Sequence, residues 1–170
     1  MRHMAIIPAA VVATLAATPA FAADSTASEL APVSVRRIVV SIPDRKLALI
    51  ENETVVRVFD VAVGAPESPS PAGAFTIVSR VTNPTYYHPG KVIAPGATNP
   101  IGTRWIGLSE KGFGIHGTDD PKSIGHARSH GCIRLRNADV EKLFERVRGG
   151  DVVELHAERT AETSALFSAR

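Results

Sequence analysis

Residues 36–63 read RRIVVSIPDRKLALIENETVVRVFDVAV. Valine and isoleucine crowd the run from Arg36 to Ile42, and Pro43-Asp44 breaks it. Lys46 to Ile50 and Thr54 to Val63 follow as two more apolar, β-branched stretches. Such side chains suit a pleated surface and lose rotamer freedom in a helix. The pattern predicts a strand, a turn, and then a hairpin that reverses at Glu51-Asn52-Glu53. No helical segment separates these strands, so the βαβ alternation of a dinucleotide-binding fold is absent.

Toward the N-terminus the composition changes twice. Residues 23–34 are rich in Ala, Ser, Thr and Pro and read as a flexible lead-in. Residues 1–22 have the layout of a secretory signal: Arg2 and His3, an apolar stretch from Ala5 to Ala17, and Ala20-Phe21-Ala22 as a cleavage site. That stretch is too short to span a bilayer comfortably. The expected protein is exported to the periplasm or cell wall, with no integral membrane segment once the signal is removed.

Toward the C-terminus, residues 64–73 hold Pro66, Pro69 and Pro71 and read as a loop. Phe75 to Thr82 reads as a strand. Residues 83–103 are rich in Pro, Gly and Asn, carry Tyr86, Tyr87 and His88, and form a loop long enough to expect function of it. Arg104 to Leu108 and Gly112 to Ile115 read as short strands. One helix is expected over about 138–148, with Asn137 as N-cap, Asp139 and Glu141 at its positive end, and Val140, Leu143, Phe144 and Val147 on one face. Gly149-Gly150 ends it. Asp151 to His156 is a closing strand, and the tail 157–170 is expected to fray. The expected fold is mainly β, with one domain over 35–156.

The chain has 170 residues, a formal net charge of +2 and a pI near 8.9. No lysine-arginine block occurs, and this charge balance does not point to nucleic acid. It gives a weak hint of affinity for anionic polymers. The oligomeric state is not readable from it.

Cys132 is the only cysteine. In an exported protein a lone thiol has no disulfide partner in its own chain. It is either a packing residue or a chemical tool, and its neighbours favour the tool. His130 and Arg134 flank it, Gly131 allows close approach of the backbone, and His116 lies upstream beside Gly117. A thiol near neutral pH needs a base or a positive field to act as a nucleophile. His116 is the expected base, stabilising a Cys132 thiolate. Trp105 is placed in the core, His88 and His126 on the surface, and Arg136 in solvent. A second reading, from a different class, makes His116, His126, His130 and Cys132 ligands of a zinc or copper ion. Their spacing is not a standard zinc pattern, and the expectation is of no metal and no cofactor.

His116-Gly117-Thr118 and Ser129-His130-Gly131-Cys132-Ile133-Arg134-Leu135 resemble the split signature of the L,D-transpeptidase catalytic domain, the YkuD-like family. Val63-Gly64, Pro71-x-Gly73-x-Phe75-x-Ile77 and Asn99-Pro100-Ile101-Gly102-Thr103-Arg104-Trp105 resemble the same family, so the likeness runs from about Val35 to His156. It implies a β-sandwich or flattened-barrel fold acting on peptidoglycan stem peptides as donor and acceptor. It implies Cys132 as nucleophile on the diaminopimelate carbonyl, loss of D-alanine, a thioester, and 3→3 transfer to an amine. It also implies His116 as base, the Gly117 carbonyl as its orienting acceptor, and Gly131 and Cys132 N–H groups as oxyanion donors. Ser129 and His130 would shape the site, with Arg134, Tyr86 and Thr118 at the substrate. Carbapenems would acylate the same thiol. Water in place of the amine would make a carboxypeptidase or a hydrolase of a wall linkage. No wall-binding module such as a LysM repeat is read in the sequence, so the domain is expected to find its polymer alone or through a partner.

Overall fold

The computed structural model describes residues 35–168. The proposed leader 1–22 and the lead-in 23–34 lie outside the described residues. The first three strands are β1 (Arg36–Ser41), β2 (Lys46–Glu51) and β3 (Thr54–Asp60), as the opening stretch predicts. The β2–β3 reversal is a two-residue turn in which Asn52 and Glu53 have φ of 48° and 61°. Positive φ at both positions gives the twist that matches flanking strands. β1 is buried from Ile38 onward, which is why Ile38-Val39-Val40 is a continuous apolar run and not an alternation.

The remaining strands are β4 (Val63–Gly64), β5 (Gly73–Thr82), β6 (Tyr86–His88), β7 (Lys91–Ile93), β8 (Arg104–Leu108), β9 (Gly114–His116), β10 (Ala127–Ser129), β11 (Ile133–Arg134) and β12 (Val152–His156). Helices are α1 (Asn137–Arg146) and α2 (Ala161–Phe167), with a 3-10 turn at Pro121–Ser123. Eight strands make one sheet in the order β11-β9-β8-β5-β12-β1-β2-β3, which curls into a half-barrel. β1 with β12 and β9 with β11 are parallel, and the other neighbours are antiparallel. β4 with β10 and β6 with β7 form two small additional sheets.

Three expectations are corrected. The loop 83–103 contains the β6–β7 hairpin, which reverses at Pro89-Gly90, with Gly90 at φ 75°. The buried Asn99 pins that loop: its Nδ2 donates to the carbonyls of Pro84, Ile93 and Ala94, and its Oδ1 accepts from the Ile101 N–H. The tail does not fray but forms α2, capped by Thr160 and Thr163 in a reciprocal pair of side-chain-to-backbone bonds. And Asn137 is the first residue of α1, not its N-cap. Arg136 occupies that position and offers no side-chain cap.

The main core lies between the sheet and α1, with Ile106, Ile115, Ile133, Leu135, Val140 and Leu143 all at most 1 % exposed. A second cluster, Val39, Ala48 and Ile50 under Phe167, fills the other face of β1 and β2.

Candidate active site

The site follows from strand alternation. Ile106, Ile115 and Ile133 are paired across β8, β9 and β11 and point into the core beneath α1. Successive residues of a strand face opposite ways. The next row, Trp105, His116 and Arg134, is likewise in register and faces the other side. Cys132 precedes Ile133, so it lies on that side too, opposite Gly114. This face is the floor of a cavity of about 760 Å³. Trp105, His116, Cys132 and Arg134 line it, with Ser129, His130 and the hairpin residues Tyr86, Tyr87 and His88.

Glycine makes room for this arrangement. A Cβ on Gly114 would sit 2.7 Å from the Trp105 ring, and one on Gly107 2.9 Å from its Nε1. The indole therefore lies across the two glycines and stacks on the imidazole of His116, with ring centroids 5.6 Å apart at 20°. His116 Nδ1 donates to the Gly117 carbonyl at 2.5 Å. This bond assigns the proton to Nδ1 and leaves the Nε2 lone pair free. Burial drives the His116 pKa down to about 4, the Gly117 carbonyl opposes that, and the positive Arg134 adds to it. Burial pushes the Cys132 thiol up, while a Gly114 backbone contact and Arg134 pull it down. The thiol itself lies 3.6 Å from the Gly112 carbonyl. Burial thus favours the thiol and the neutral imidazole at rest, against the thiolate expected from the sequence.

Ser129 closes the turn that presents the thiol. Its Oγ donates to the Cys132 carbonyl at 2.6 Å and accepts the Gly131 N–H at 3.1 Å. Gly131 has φ of 108°, and a Cβ there would meet the Phe113 ring at 2.5 Å, so only glycine fits.

The catalytic-domain model of the L,D-transpeptidase family matches residues 35–155. This chain belongs to the L,D-transpeptidase (YkuD) family. A Bacillus licheniformis protein named as the L,D-transpeptidase YkuD is 40 % identical over 119 residues, which cover 70 % of this chain and 64 % of that one. The Bacillus subtilis protein of the same name is 38 % identical over 119 residues, 70 % of this chain and 65 % of that one. This chain therefore spans slightly less than two thirds of either relative. Among solved structures, an L,D-transpeptidase from Mycobacterium smegmatis superposes with a TM-score of 0.62 at 21 % identity, covering 73 % of this chain and 59 % of that one. LdtMt1 in complex with imipenem gives 0.61 at 23 %, covering 72 % and 59 %. These two establish a shared fold.

Within the L,D-transpeptidase frame the expected residues divide. Cys132, His116, Ser129, His130, Arg134 and Tyr86 meet at one cavity. Thr118 does not: it is 3 % exposed, and its Oγ1 accepts the Asp120 N–H in a local turn. The Gly131 N–H, expected as an oxyanion donor, is taken by Ser129, whereas the Cys132 N–H has no hydrogen-bond partner among the described residues. The four residues of the metal reading do not converge. Among the described residues, the one group with metal-ligand geometry is Glu154, His156 and Glu162, and there Arg37 already ion-pairs both carboxylates. Trp105 is the residue missed at the sequence level. Composition assigns it to the core, and only its register with His116 across β8 and β9 makes it a wall of the site.

Proposed function

We propose that the protein is a peptidoglycan L,D-transpeptidase that works through a Cys132 thioester. The observation that carries this is the single cavity face shared by Cys132 and His116, with the imidazole tautomer set by Gly117 so that Nε2 is free to take a proton. A neutral thiol beside a neutral base reacts as the proton moves, not before. Sγ attacks the carbonyl of the third stem residue as its proton passes to Nε2. The tetrahedral oxyanion is met by the Cys132 N–H. Collapse breaks the amide bond, the departing D-alanine amine takes the proton from Nε2, and the thioester remains. An acceptor amine then attacks the thioester, His116 takes a proton from it, and Sγ leaves as the thiol with that proton.

Arg134 supports the substrate assignment. Its Nε is buried without a hydrogen-bond partner, and its charge has no ion-pair partner among the described residues. A half-buried cation at the cavity wall, with its Nε out of reach of water, is favoured by an anionic partner. A carboxylate of the stem peptide has the right charge and can bind the guanidinium in bidentate fashion. The signal-like layout of residues 1–22 supports a reaction outside the cytoplasm.

Incubation with a disaccharide-tetrapeptide, followed by intact-mass measurement, tests the reading. A tripeptide acyl adduct is expected on the wild type and none on Cys132→Ser. A cross-linked product identifies an amine acceptor, and a free tripeptide identifies water. Arg134→Ala should raise KM at least about tenfold, the loss of one charged hydrogen bond, while still forming a carbapenem adduct. An adduct that persists in Cys132→Ser places the nucleophile elsewhere.

A further inference from the structure

Asn137 is the residue best suited to cap α1, yet its side chain does not serve that helix. Asn ranks among the strongest N-cap residues. Here it stands one position inside the helix, and the actual N-cap, Arg136, supplies no side-chain bond. The Asn137 Oδ1 points instead at the site, where it accepts the Thr118 N–H at 3.1 Å and the Thr103 N–H at 3.3 Å. Space for it is made by two glycines. A Cβ on Gly102 or on Gly117 would lie 2.1 Å from this oxygen. Gly102 also has φ of 61°.

The Thr118 N–H and the Gly117 carbonyl belong to one peptide unit. That unit is planar and trans, so its N–H and C=O point in opposite directions. On one side the carbonyl accepts from His116 Nδ1. On the other side the N–H donates to Asn137. The chain of bonds runs from Asn137 Oδ1 through a single amide plane to the imidazole. Fixing one side of that plane fixes the other, and each bond polarises the next. The Gly117 N–H is itself held by the Arg104 carbonyl at 3.2 Å, which leaves the 117–118 plane as the free rotor that Asn137 locks.

We propose that Asn137 is a positioning residue that sets the tautomer and orientation of His116 through the Gly117–Thr118 peptide. The proposal rests on the role of His116 as base. It gives Asn137 no contact with substrate. Through Thr103 the same oxygen also ties the end of the 83–103 loop to the base, so that a cavity wall and the imidazole share one anchor.

The test compares Asn137→Ala with Asn137→Asp. Aspartate keeps an oxygen at the same place, whereas alanine removes it. The ring nitrogens and ring protons of His116 are followed by NMR, and acylation by a carbapenem is timed by intact mass. Alanine should lose the Nδ1–H tautomer and slow acylation by roughly 100-fold, the scale of an ångström-sized displacement of a reacting group. KM for the tetrapeptide should change less than kcat. Aspartate should keep the tautomer, return the acylation rate to within about tenfold of wild type, and move the acid limb of the pH profile upward, since its charge favours the imidazolium. An alanine variant with the wild-type tautomer overturns the proposal, whatever its rate. If alanine fails to fold, an aspartate variant with altered tautomer overturns it equally. His116→Ala with undiminished acylation would refute the Cys–His reading instead, and the NMR comparison at Asn137 would stand apart from that failure.

Discussion

A proton on His116 would have to sit in a buried site with Arg134 nearby, and the folded protein resists it. The imidazole titrates at about 4 in the fold, against 6.5 for an unperturbed histidine. Between these values the unfolded chain binds a proton that the folded chain does not. Stability therefore falls as pH drops from 6.5 toward 4 and is unaffected by this group below that. The full loss is about 3 kcal/mol. Urea titrations at pH 7, 5 and 4 should show that decline, and His116→Gln should lack it. Asp44 is held low by its bond with Arg159 and by Ser41, so its contribution is lost only below the usual carboxylate range and remains in both proteins. Catalysis should respond in step: acylation is expected to show no inflection near pH 6.5, because the base stays neutral well below it. At this scale the sequence was most legible where chemistry is local. A lone thiol among glycine and histidine declares itself within seven residues. Trp105 and Asn137 do not, because one acts through cross-strand register and the other through a slot left by two glycines distant in sequence.

Among the elements, α2 shows how an amphipathic turn escapes a reading based on composition. Its residues are small and polar, and its cap is Thr160 with Thr163, where a glutamate or glutamine would have signalled a capping box. What holds it is tertiary. Phe167, 6 % exposed, covers Val39, Ala48 and Ile50, and Glu162 ion-pairs with Arg37 at 2.7 Å. Phe167→Ala should cost about 3 kcal/mol by opening that cluster, read as a lower urea midpoint with the slope unchanged. Glu162→Ala should cost under about 1 kcal/mol, since the pair is partly solvated. A Phe167→Ala protein as stable as wild type would mean that α2 does not cover the sheet in solution. The strands were legible for the opposite reason. β1, β2 and β3 are written in their own β-branched residues, and the β2–β3 turn in Asn52. The β6–β7 hairpin was hidden because its strands are three residues each and its order comes from Asn99, a buried side chain whose partners lie in other parts of the loop.

Across the described residues, the main sheet consists of two runs of strands, β11-β9-β8-β5 and β1-β2-β3, with β12 between them. β12 pairs parallel with β1, Arg37 opposite Val152, and antiparallel with β5, Val152 opposite Thr76. The first run carries the nucleophile and base, and the second carries the face under α2. The strand that joins them is the last strand among the described residues. A polypeptide that ends at Asp151 has both half-sheets and nothing to seam them. Closure of the sheet therefore waits on a pairing such as Arg37 with Val152, far apart in sequence. Contacts this distant in sequence also form slowly once the chain is complete. The position of β12 makes it the seam of the fold: without residues 152–156 the half-sheet that carries the site and the half-sheet under α2 share no strand.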